Sequence, residues 1–558
     1  MTAATDTDPF AGLRDGFTPH PPTAMQRYRD AGLFADRALW QLIERAARQT
    51  PDRPAVTDAS TSCPQTLTYA QLGRAMNARA AGFVAAGLRP GQRVILQQHN
   101  SAQFAITLLG LLRAGLVPVM ALPAHRVAEI AHLAAGAGAV AYLAEDATRG
   151  FDYRELGQEL IRRVPGVAHV FVTGETGDGS AAAPMPDADP AGVDLPGPVD
   201  PDLPALLLVS GGTTGLPKLI ARTHNDYTLN AQLSAGVAGL TGDDVYLAAL
   251  PAAHNFALCC PGIFGIWSAG GHAVFLDNPS PDAAFDIIAA HRVTVTALVP
   301  ALAQVWCAAT EWESADISSL RLLQVGGSKL ARADAQALDA ALGPIVQQVF
   351  GMAEGLICST RLDDPRDLVH EVQGRPMSEL DEVRIVDDNG TDVPDGDEGE
   401  LLVRGPYTIR AYFRSGSERA ASSFTADGFY RSGDRVRRLG SGHLVVTGRI
   451  KDTILRAGEN VAADAVEEYL IAHPSIRQAA VIGAPDDSLS ERICALVVPS
   501  AEHLPGHRLG LAEIREFLSG RDVAAFMLPD EVRTVSSLPL TAIGKVDKKA
   551  LRAEIEAR

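Results

Sequence analysis

Residues 210–218 read Ser210-Gly211-Gly212-Thr213-Thr214-Gly215-Leu216-Pro217-Lys218, and this stretch decides how the rest of the chain is interpreted. It follows the apolar run 203–209, which predicts a buried strand. A glycine-rich loop after a strand brings backbone N–H groups close to phosphate oxygens, while hydroxyls and a lysine add donors and positive charge. The spacing differs from that of a Walker P-loop. Taken alone, such a loop is also compatible with a plain turn.

Composition and charge limit the classes of function. The chain has 558 residues, a net charge of −18 and 46% hydrophobic residues, which suits a multidomain protein and argues against nucleic acid or anionic membrane as a partner. No apolar run is long enough to predict a membrane span. The polar start, 1–9, lacks the apolar core of a signal peptide, and the scattered cysteines form no C-x-x-C pair. We therefore expect a cytoplasmic protein without a disulfide framework.

Apolar runs and helical patterns alternate along much of the chain, which is typical of layered α/β architecture. Residues 38–48 place Leu39, Leu42, Ile43 and Ala46 on one helical face. Other segments predict helices over 104–114 and 331–342 and strands over 93–97, 293–299, 322–325 and 346–350. The Gly-, Ala-, Pro- and Asp-rich segment 173–204 predicts an exposed acidic loop.

After Glu398 the pattern changes to short β-like runs, 400–404 and 443–447, and a domain break is predicted at 449–452. Beyond the break the patterns predict helices over 463–472 and 511–518, strands over 478–482 and 494–498, and a basic tail with solvated Lys548 and Lys549. The predicted fold class is α/β. A large, multi-layered N-terminal domain (1–450) contains βαβ sheets and a β-rich subdomain, and a small α+β domain (451–558) follows.

Further motifs follow the glycine-rich loop in order: Arg404-Gly-Pro-Tyr-Thr-Ile-Arg-Ala-Tyr-Phe413, Gly428-Phe-Tyr-Arg-Ser-Gly-Asp434, Gly448-Arg-Ile-Lys-Asp452, Arg456-Ala-Gly-Glu-Asn460 and Pro539-Leu-Thr-Ala-Ile-Gly-Lys545. Together they resemble the adenylate-forming superfamily, which includes acyl-CoA synthetases, peptide-synthetase adenylation domains and aryl-acid ligases. The resemblance covers nearly the whole chain. It implies an enzyme that uses ATP and Mg²⁺ to join a carboxylic acid to AMP, with a mobile C-terminal domain.

The resemblance assigns roles to several charged residues. It places Asp434 on the ribose hydroxyls, which suit an acceptor-only carboxylate, and Arg449 near ribose and phosphate. Glu354 becomes the magnesium-associated acid, and Lys545 the catalytic lysine that bridges the substrate carboxylate and the α-phosphate. Taken alone, Asp434 is also compatible with a turn cap and Glu354 with a helix N-terminus. The other residues expected around the nucleotide are Ser210, Gly211, Gly212, Thr213, Thr214, Gly215, Lys218, Gly327, Ser328, Val349, Phe350, Gly351 and Met352.

Residues 251–261, Pro-Ala-Ala-His-Asn-Phe-Ala-Leu-Cys-Cys-Pro, indicate the kind of acid. Amino-acid-activating members carry an Asp near the position of Asn255, and a neutral Asn would leave a substrate ammonium unpaired. The pair His254-Asn255 resembles the aryl-acid ligases of siderophore assembly, as do 28–32 and 347–356. Asn255 is then expected to bind the ring 2-hydroxyl and carboxylate region, and His254 to lie near the phosphates or gate the pocket. The other expected pocket residues are Phe256, Cys260, Gly326, Gly355 and Ile357.

Cys260 favours salicylate as the acid. Members that use 2,3-dihydroxybenzoate tend to carry Ser there, and a thiol leaves no buried hydroxyl unpaired when the 3-hydroxyl is absent. The expected reaction forms salicyl-AMP and then loads the phosphopantetheine thiol of an aryl-carrier protein. Lys451 is the expected hinge, and Gly458 is expected to let the pantetheine arm approach. The alternatives are a 2,3-dihydroxybenzoate–AMP ligase, an aryl-CoA synthetase and a non-catalytic ligand-binding protein on the same fold.

Overall fold

The computed structural model describes residues 10–60, 64–177, 181–210, 217–416, 421–456, 459–486, 489–500, 509–521, 523, 525–541 and 544–556. Its first sheet has a parallel centre, as the continuous apolar runs of its strands predict. The strands lie in the order Arg375–Pro376, Ile357–Ser359, Val346–Gly351, Leu322–Gly326, Val295–Leu298, Val245–Ala248, His272–Phe275, Pro54–Asp58 and Gln65–Thr68.

The second sheet is also largely parallel, and an antiparallel pair at one edge encloses the glycine-rich loop. Its order is Leu219–Thr223, Pro204–Val209, Val117–Met120, Arg93–Gln97, Ala139–Glu145, His169–Thr173 and Ala183–Pro184. Buried side chains of both sheets, such as Val56 and Leu96, belong to one continuous apolar core. A separate short hairpin pairs Ala147–Thr148 with Phe151–Asp152.

Two smaller sheets complete the fold. The third sheet is antiparallel and contains Glu382–Val386, Glu398–Arg404, Tyr430–Arg438 and Leu444–Arg449. The fourth sheet has the order Glu459–Ala462, Thr453–Arg456, Ser490–Pro499 and Ile476–Asp486, and Glu531–Thr534 pairs with Ser490–Pro499. The fourth sheet has its own apolar cores and forms the small C-terminal domain.

Helices cover the sheets, and local sequence determines where several of them begin. A reciprocal capping box between Thr68 and Gln71 starts one helix, and a Ser101 side-chain cap starts another. The α-helices span Ala11–Arg14, Pro22–Asp30, Gln41–Gln49, Tyr69–Ala85, Ala102–Arg113, Val127–Ala137, Tyr153–Arg163, His224–Val237, Asn255–Cys259, Gly262–Ser268, Pro281–His291, Pro300–Ala309, Arg332–Leu342, Arg366–Val369, Ala463–Ile471, Leu511–Ser519 and Lys548–Glu556. Short 3₁₀ turns span Pro190–Gly192, Ile450–Asp452 and Ala525–Met527.

The structure confirms the predicted mixed α/β fold with a large N-terminal and a small C-terminal domain. The predicted strand 93–97 matches Arg93–Gln97, and the other predicted helices and strands are present. The predicted strands 478–482 and 494–498 are about half as long as the observed strands Ile476–Asp486 and Ser490–Pro499. Within the described part of the chain, no helix is long and apolar enough to cross a bilayer.

The described residues of the segment 173–204 are mostly exposed or half-buried, as predicted, although Ala183–Pro184 extends the second sheet and Asp187 pairs with Arg79 at 2.8 Å. The prediction for the C-terminal end needs correction. The C-terminal end is a helix, Lys548–Glu556, not a plain basic tail. Lys548 is not solvated either: its side chain is 15% exposed and pairs with both Asp464 and Glu467.

Candidate active site

Lys545 reaches from the C-terminal domain to the carboxyl end of Leu322–Gly326, an interior strand of the first sheet. Its turn is closed by hydrogen bonds from the Lys545 N–H to Thr541 Oγ1 (3.2 Å) and from the Gly544 N–H to the Thr541 carbonyl (2.9 Å). Gly327 has a φ of +88°, and a Cβ on it would lie 3.3 Å from Lys545 Cε. A Cβ on Gly544 would lie 3.1 Å from Val299 Cγ2. The structure therefore brings Lys545 to the turn that the sequence predicts beside the nucleotide.

The charges around Lys545 come from the large domain. Burial and the positive charge of Arg449 lower the pKa of Lys545 to about 8, whereas the carboxylates of Asp434 and Glu354 oppose this shift. Lys545 is thus within electrostatic reach of both carboxylates that were predicted to flank the nucleotide. A positive charge held here suits an anionic reaction intermediate.

Asp434 and Arg449 face each other across the hairpin of the third sheet. They are register partners, and Arg449 Nε lies 2.9 Å from Asp434 Oδ1. Asp434 is 5% exposed at its side chain and Arg449 is 43% exposed. Burial raises the pKa of Asp434, and the Arg449 guanidinium opposes that rise. A carboxylate has several lone-pair sites, so pairing with Arg449 leaves capacity to accept hydroxyl donors.

Glu354 lies in a turn after strand Val346–Gly351, so the alternative that it begins a helix is wrong. The Tyr412 hydroxyl donates to Glu354 Oε1 at 2.9 Å and lies 3.2 Å from the Tyr430 hydroxyl. Lys218 Nζ lies 4.2 Å from the centroid of the Tyr412 ring. These contacts connect the end of the glycine-rich loop to the predicted magnesium-associated acid.

The base of the glycine-rich loop is closed by its two end residues. The Ser210 N–H donates to the Lys218 carbonyl, and the Lys218 N–H donates to Ser210 Oγ, both at 2.9 Å. Pairing of Val209 with Leu219 continues the antiparallel ladder below. The remaining predicted phosphate-binding residues lie outside the described residues: Gly211, Gly212, Thr213, Thr214 and Gly215.

Asn255 begins a short buried helix and contacts the predicted pocket residue Cys260. Asn255 Nδ2 lies 3.4 Å from Cys260 Sγ, and the Tyr227 hydroxyl donates to Asn255 Oδ1 at 2.8 Å. A Cβ on Gly326 would lie 3.1 Å from Phe256 Cζ, so the Phe256 ring covers the glycine backbone. The structure thus brings four of the predicted pocket residues together.

The neighbouring strands form the other wall. Gly326 is the register partner of Val349, and Gly351 is the partner of Ile357. A Cβ on Gly351 would lie 3.0 Å from Ile357 Cγ1. Gly355 packs closely against Thr408, since a Cβ on Gly355 would lie 2.5 Å from Thr408 Oγ1. Three other residues predicted to contact the nucleotide lie nearby. Ser328 follows strand Leu322–Gly326, Phe350 lies in strand Val346–Gly351, and Met352 follows that strand.

His254 caps the helix that begins at Asn255. Its Nδ1 accepts a hydrogen bond from the Phe256 N–H at 3.3 Å. Burial and the positive charge of Lys545 lower the pKa of His254 to about 3, so the imidazole is neutral at physiological pH. His254 thus caps the pocket helix and lies within electrostatic reach of Lys545.

The predicted hinge, Lys451, lies in the 3₁₀ turn Ile450–Asp452 between the third and fourth sheets. Its neighbour Asp452 pairs with Arg552 of the last helix at 2.7 Å. Gly458 lies outside the described residues.

Sequence reasoning missed two aromatic residues, Tyr227 and Tyr412, that hold Asn255 and Glu354. Tyr412 stands in a quoted motif, but neither its spacing nor its residue type predicts contact with a turn 58 positions earlier. Tyr227 follows the strand after the glycine-rich loop and carried no functional pattern of its own.

Comparison with known proteins gives two matching family models. The model of AMP-binding enzymes matches residues 43–413, and that of the AMP-binding enzyme C-terminal domain matches residues 465–545. The chain is 50% identical over 544 residues to the salicyl-AMP ligase / salicyl-S-ArCP synthetase of Mycobacterium tuberculosis, covering 97% of this chain and 95% of the relative. It is 44% identical to the 2,3-dihydroxybenzoate-AMP ligase of Bacillus subtilis, covering 97% and 98% of the two chains.

A solved structure shows the same architecture. The apo structure of MbtA from Mycobacterium smegmatis is 49% identical and has a TM-score of 0.73, covering 97% of this chain and 99% of the other. The two family models and the full-length relatives agree with the fold, and the chain belongs to the AMP-binding enzyme family of ATP-dependent ligases.

Proposed function

We propose that this enzyme activates salicylate with Mg·ATP and then loads the acyl group onto an aryl-carrier protein. In the first step a salicylate carboxylate oxygen attacks the α-phosphorus of ATP, and the bond to the bridging oxygen breaks to release pyrophosphate. In the second step the phosphopantetheine thiolate attacks the acyl carbonyl and AMP leaves. The observation that carries the proposal is the insertion of Lys545 beside Gly327, within electrostatic reach of Glu354 and Asp434. Because the reaction consumes ATP, we place it in the cytoplasm.

Lys545 acts on the first step by bringing together two anions. The substrate carboxylate and the α-phosphate repel each other, and an ammonium between them lowers the cost of their approach. The same charge stabilises the additional negative charge that develops on the phosphoryl oxygens. Ser210, Lys218 and the rest of the glycine-rich loop hold the outer phosphates on this proposal, and Asp434 accepts from the ribose hydroxyls.

Glu354 is suited to a hard cation that arrives with the nucleotide. It offers a single carboxylate, and no cluster of three or more His, Cys, Asp or Glu ligands exists among the described residues. Such a site fits Mg²⁺ bound through one carboxylate, water and the substrate's own phosphates, and does not fit a metal held by protein alone. Mg²⁺ supplies charge neutralisation for the phosphates, while the Tyr412 hydroxyl orients the Glu354 carboxylate.

Asn255 and Cys260 favour salicylate. The buried amide offers a donor to the ring 2-hydroxyl oxygen, and the pocket presents no carboxylate at Asn255 for the ammonium of an amino acid. The thiol of Cys260 fills space without demanding a hydrogen bond from the unsubstituted 3-position. These features and the 50% identity to a salicyl-AMP ligase support the choice of acid.

The two steps require the C-terminal domain to present different residues. We propose a domain boundary between 450 and 451, with Lys451 as the hinge and Gly458 near the pantetheine arm in the second step. The position of the 3₁₀ turn Ile450–Asp452 between two independent sheets supports this boundary.

An acceptor experiment tests the whole reaction. The enzyme is incubated with ATP, Mg²⁺ and salicylate in three reactions: without an acceptor, with free CoA, and with a phosphopantetheinylated aryl-carrier protein. The carrier protein without phosphopantetheine serves as the control. We expect salicyl-AMP without an acceptor and a salicyl thioester on the modified carrier. Faster formation of salicyl-CoA would make the protein an aryl-CoA synthetase, and absence of salicyl-AMP would contradict the proposal.

A further inference from the structure

The side-chain amide of Asn255 is hydrogen-bonded to a buried tyrosine, Tyr227. The Tyr227 hydroxyl donates to Asn255 Oδ1 at 2.8 Å, and both residues are buried. On the other side of the amide, Asn255 Nδ2 lies 3.4 Å from Cys260 Sγ. Tyr227 therefore contacts the oxygen end of the amide, while the nitrogen end points to Cys260, a residue of the proposed acid pocket.

The hydroxyl of Tyr227 distinguishes the two possible orientations of this amide. With Oδ1 toward Tyr227, the hydroxyl proton has an acceptor. With the amide reversed, Nδ2 would donate to the hydroxyl oxygen, and the buried hydroxyl proton would lose Asn255 Oδ1, the acceptor it has among the described residues. Leaving a buried donor unpaired costs about 1–3 kcal/mol, which corresponds to roughly 5- to 150-fold in population.

Tyr227 itself is tightly held. Its ring lies in an edge contact with Phe264, with centroids 5.9 Å apart, and the guanidinium carbon of Arg222 lies 5.0 Å from its centroid. The Cys259 thiol contacts the Tyr227 carbonyl at 3.4 Å. A side chain fixed in this way can impose one orientation on the neighbouring amide.

We propose that Tyr227 is a positioning residue that makes the acid pocket selective for the ortho substituent of the aryl acid, by fixing Asn255 with its N–H groups toward the substrate. The inference rests on the proposed function and deepens it. An ortho oxygen accepts from Asn255 Nδ2. An ortho amino group brings N–H donors to a donor, since Asn255 directs Oδ1 toward Tyr227 and Nδ2 toward Cys260.

The consequence is a rank order of acids that depends on hydrogen-bond direction and not on size. Hydroxyl and amino groups are nearly isosteric, so a pocket that discriminated by volume would treat 2-hydroxybenzoate and 2-aminobenzoate alike. The structure assigns the first as the good substrate. It assigns the second as no better than benzoate, because a hydrogen-bonding site rejects a group with the wrong polarity.

Tyr227→Phe tests the assignment. It removes one hydroxyl and leaves the ring contacts, so the amide becomes free to reverse. We measure kcat/KM in ATP–pyrophosphate exchange for salicylate, benzoate and 2-aminobenzoate. The ratio of 2-aminobenzoate to salicylate is expected to rise about tenfold, and benzoate is expected to change least. The matched control is Tyr142→Phe, which removes another buried hydroxyl that donates to Gln97 Oε1 at 2.7 Å and should leave the ratio unchanged.

The outcomes separate this inference from the proposed function. A wild-type enzyme that prefers salicylate, together with an unchanged ratio in Tyr227→Phe, overturns the role of Tyr227 alone. A wild-type enzyme that activates none of the three acids overturns both. If Tyr227→Phe does not fold, the wild-type ranking decides, because activation of 2-aminobenzoate clearly above benzoate contradicts an amide fixed with its donors toward the pocket.

Discussion

The Lys545 ammonium lies where burial and Arg449 weaken its protonation, while Asp434 and Glu354 support it. Its charge is therefore available at neutral pH and sensitive to what binds beside it. On the proposed function, Lys545 serves the step in which ATP and the acid are both present, and transfer from the adenylate does not require it.

Replacing Lys545 with Ala should reduce adenylate formation by about 10²–10³, the usual effect of losing one preorganised charge contact. Transfer from supplied salicyl-AMP to the carrier should stay close to wild type. Pyrophosphate release and carrier acylation are measured separately. Lys549→Ala, at an exposed position nearby, is the control. Wild-type rates of adenylation in Lys545→Ala would exclude the catalytic assignment.

The pKa of about 8 at Lys545 predicts a pH dependence. The protonated fraction is nearly complete below pH 7 and falls as the pH rises through 8, so kcat/KM for adenylation should decrease above about pH 8. A pH profile of pyrophosphate exchange measures this. Lys545→Arg stays protonated over the whole range and should lack the descending limb, whatever its absolute rate. If the decrease above pH 8 persists in Lys545→Arg, it reflects the titration of another group.

Cys260 is expected to influence which aryl acid is preferred. Burial raises the pKa of Cys260 to about 12, so a neutral thiol lies beside Asn255. A serine hydroxyl there can pair with a 3-hydroxyl that the thiol serves poorly. Cys260→Ser should raise kcat/KM for 2,3-dihydroxybenzoate relative to salicylate by about tenfold, or ~1.4 kcal/mol. Cys494→Ser, at a buried thiol of the small domain, is the control. The same ratio in wild type and Cys260→Ser would show that the thiol does not contact the substrate.

Among secondary-structure elements, one ion pair joins the helix Ala463–Ile471 to the turn after strand Leu322–Gly326. Lys329 Nζ lies 3.1 Å from Glu468 Oε2, with side chains 26% and 52% exposed. The pair connects the C-terminal domain to the large domain while Lys545 is inserted. It should stabilise this arrangement and not the one needed for transfer.

Lys329→Glu is therefore expected to slow adenylation by up to about fivefold, since exposed ion pairs contribute roughly 0.2–1 kcal/mol, and to leave transfer from supplied salicyl-AMP unaffected. The second change Glu468→Lys should restore the rate. Arg332→Glu breaks a nearby pair with Glu371 inside the large domain and serves as the control. A lack of rescue by the double variant would show that the pair has no part in the domain arrangement.

Helices and strands were predictable where the hydrophobic residues follow a clear pattern. Strand Arg93–Gln97 is a short run of Val, Ile and Leu whose last four residues are buried, and its limits follow from composition alone. The last helix was not predicted, because the charges of Lys548 and Lys549 are typical of a solvated tail. Leu551 and Ile555, which are four residues apart and both buried, are the helical signal in this segment. The position of Glu354 in a turn depends on Tyr412 and Ile409, contacts that no local pattern reveals.

For the whole molecule, the two proposed steps require the C-terminal domain to reorient between them. Lys451→Pro should fix φ near −65° in the turn Ile450–Asp452 and hold one arrangement. We expect adenylation and carrier acylation to change unequally, and we measure both on the same preparation. Lys451→Ala, which removes the side chain without constraining φ, is the control. Equal loss of both activities in a folded variant would argue against a hinge here.

The proposed activation of salicylate in the pocket around Asn255 is tested by ATP–pyrophosphate exchange over a panel of acids. The panel contains salicylate, 2,3-dihydroxybenzoate, benzoate, 2-aminobenzoate and a set of amino acids. We expect the highest kcat/KM for salicylate and no exchange with amino acids, because the pocket holds a neutral amide at Asn255. Preference for 2,3-dihydroxybenzoate would rule out the role given to Cys260, and exchange with an amino acid, or with none of the acids, would rule out salicylate activation by this pocket.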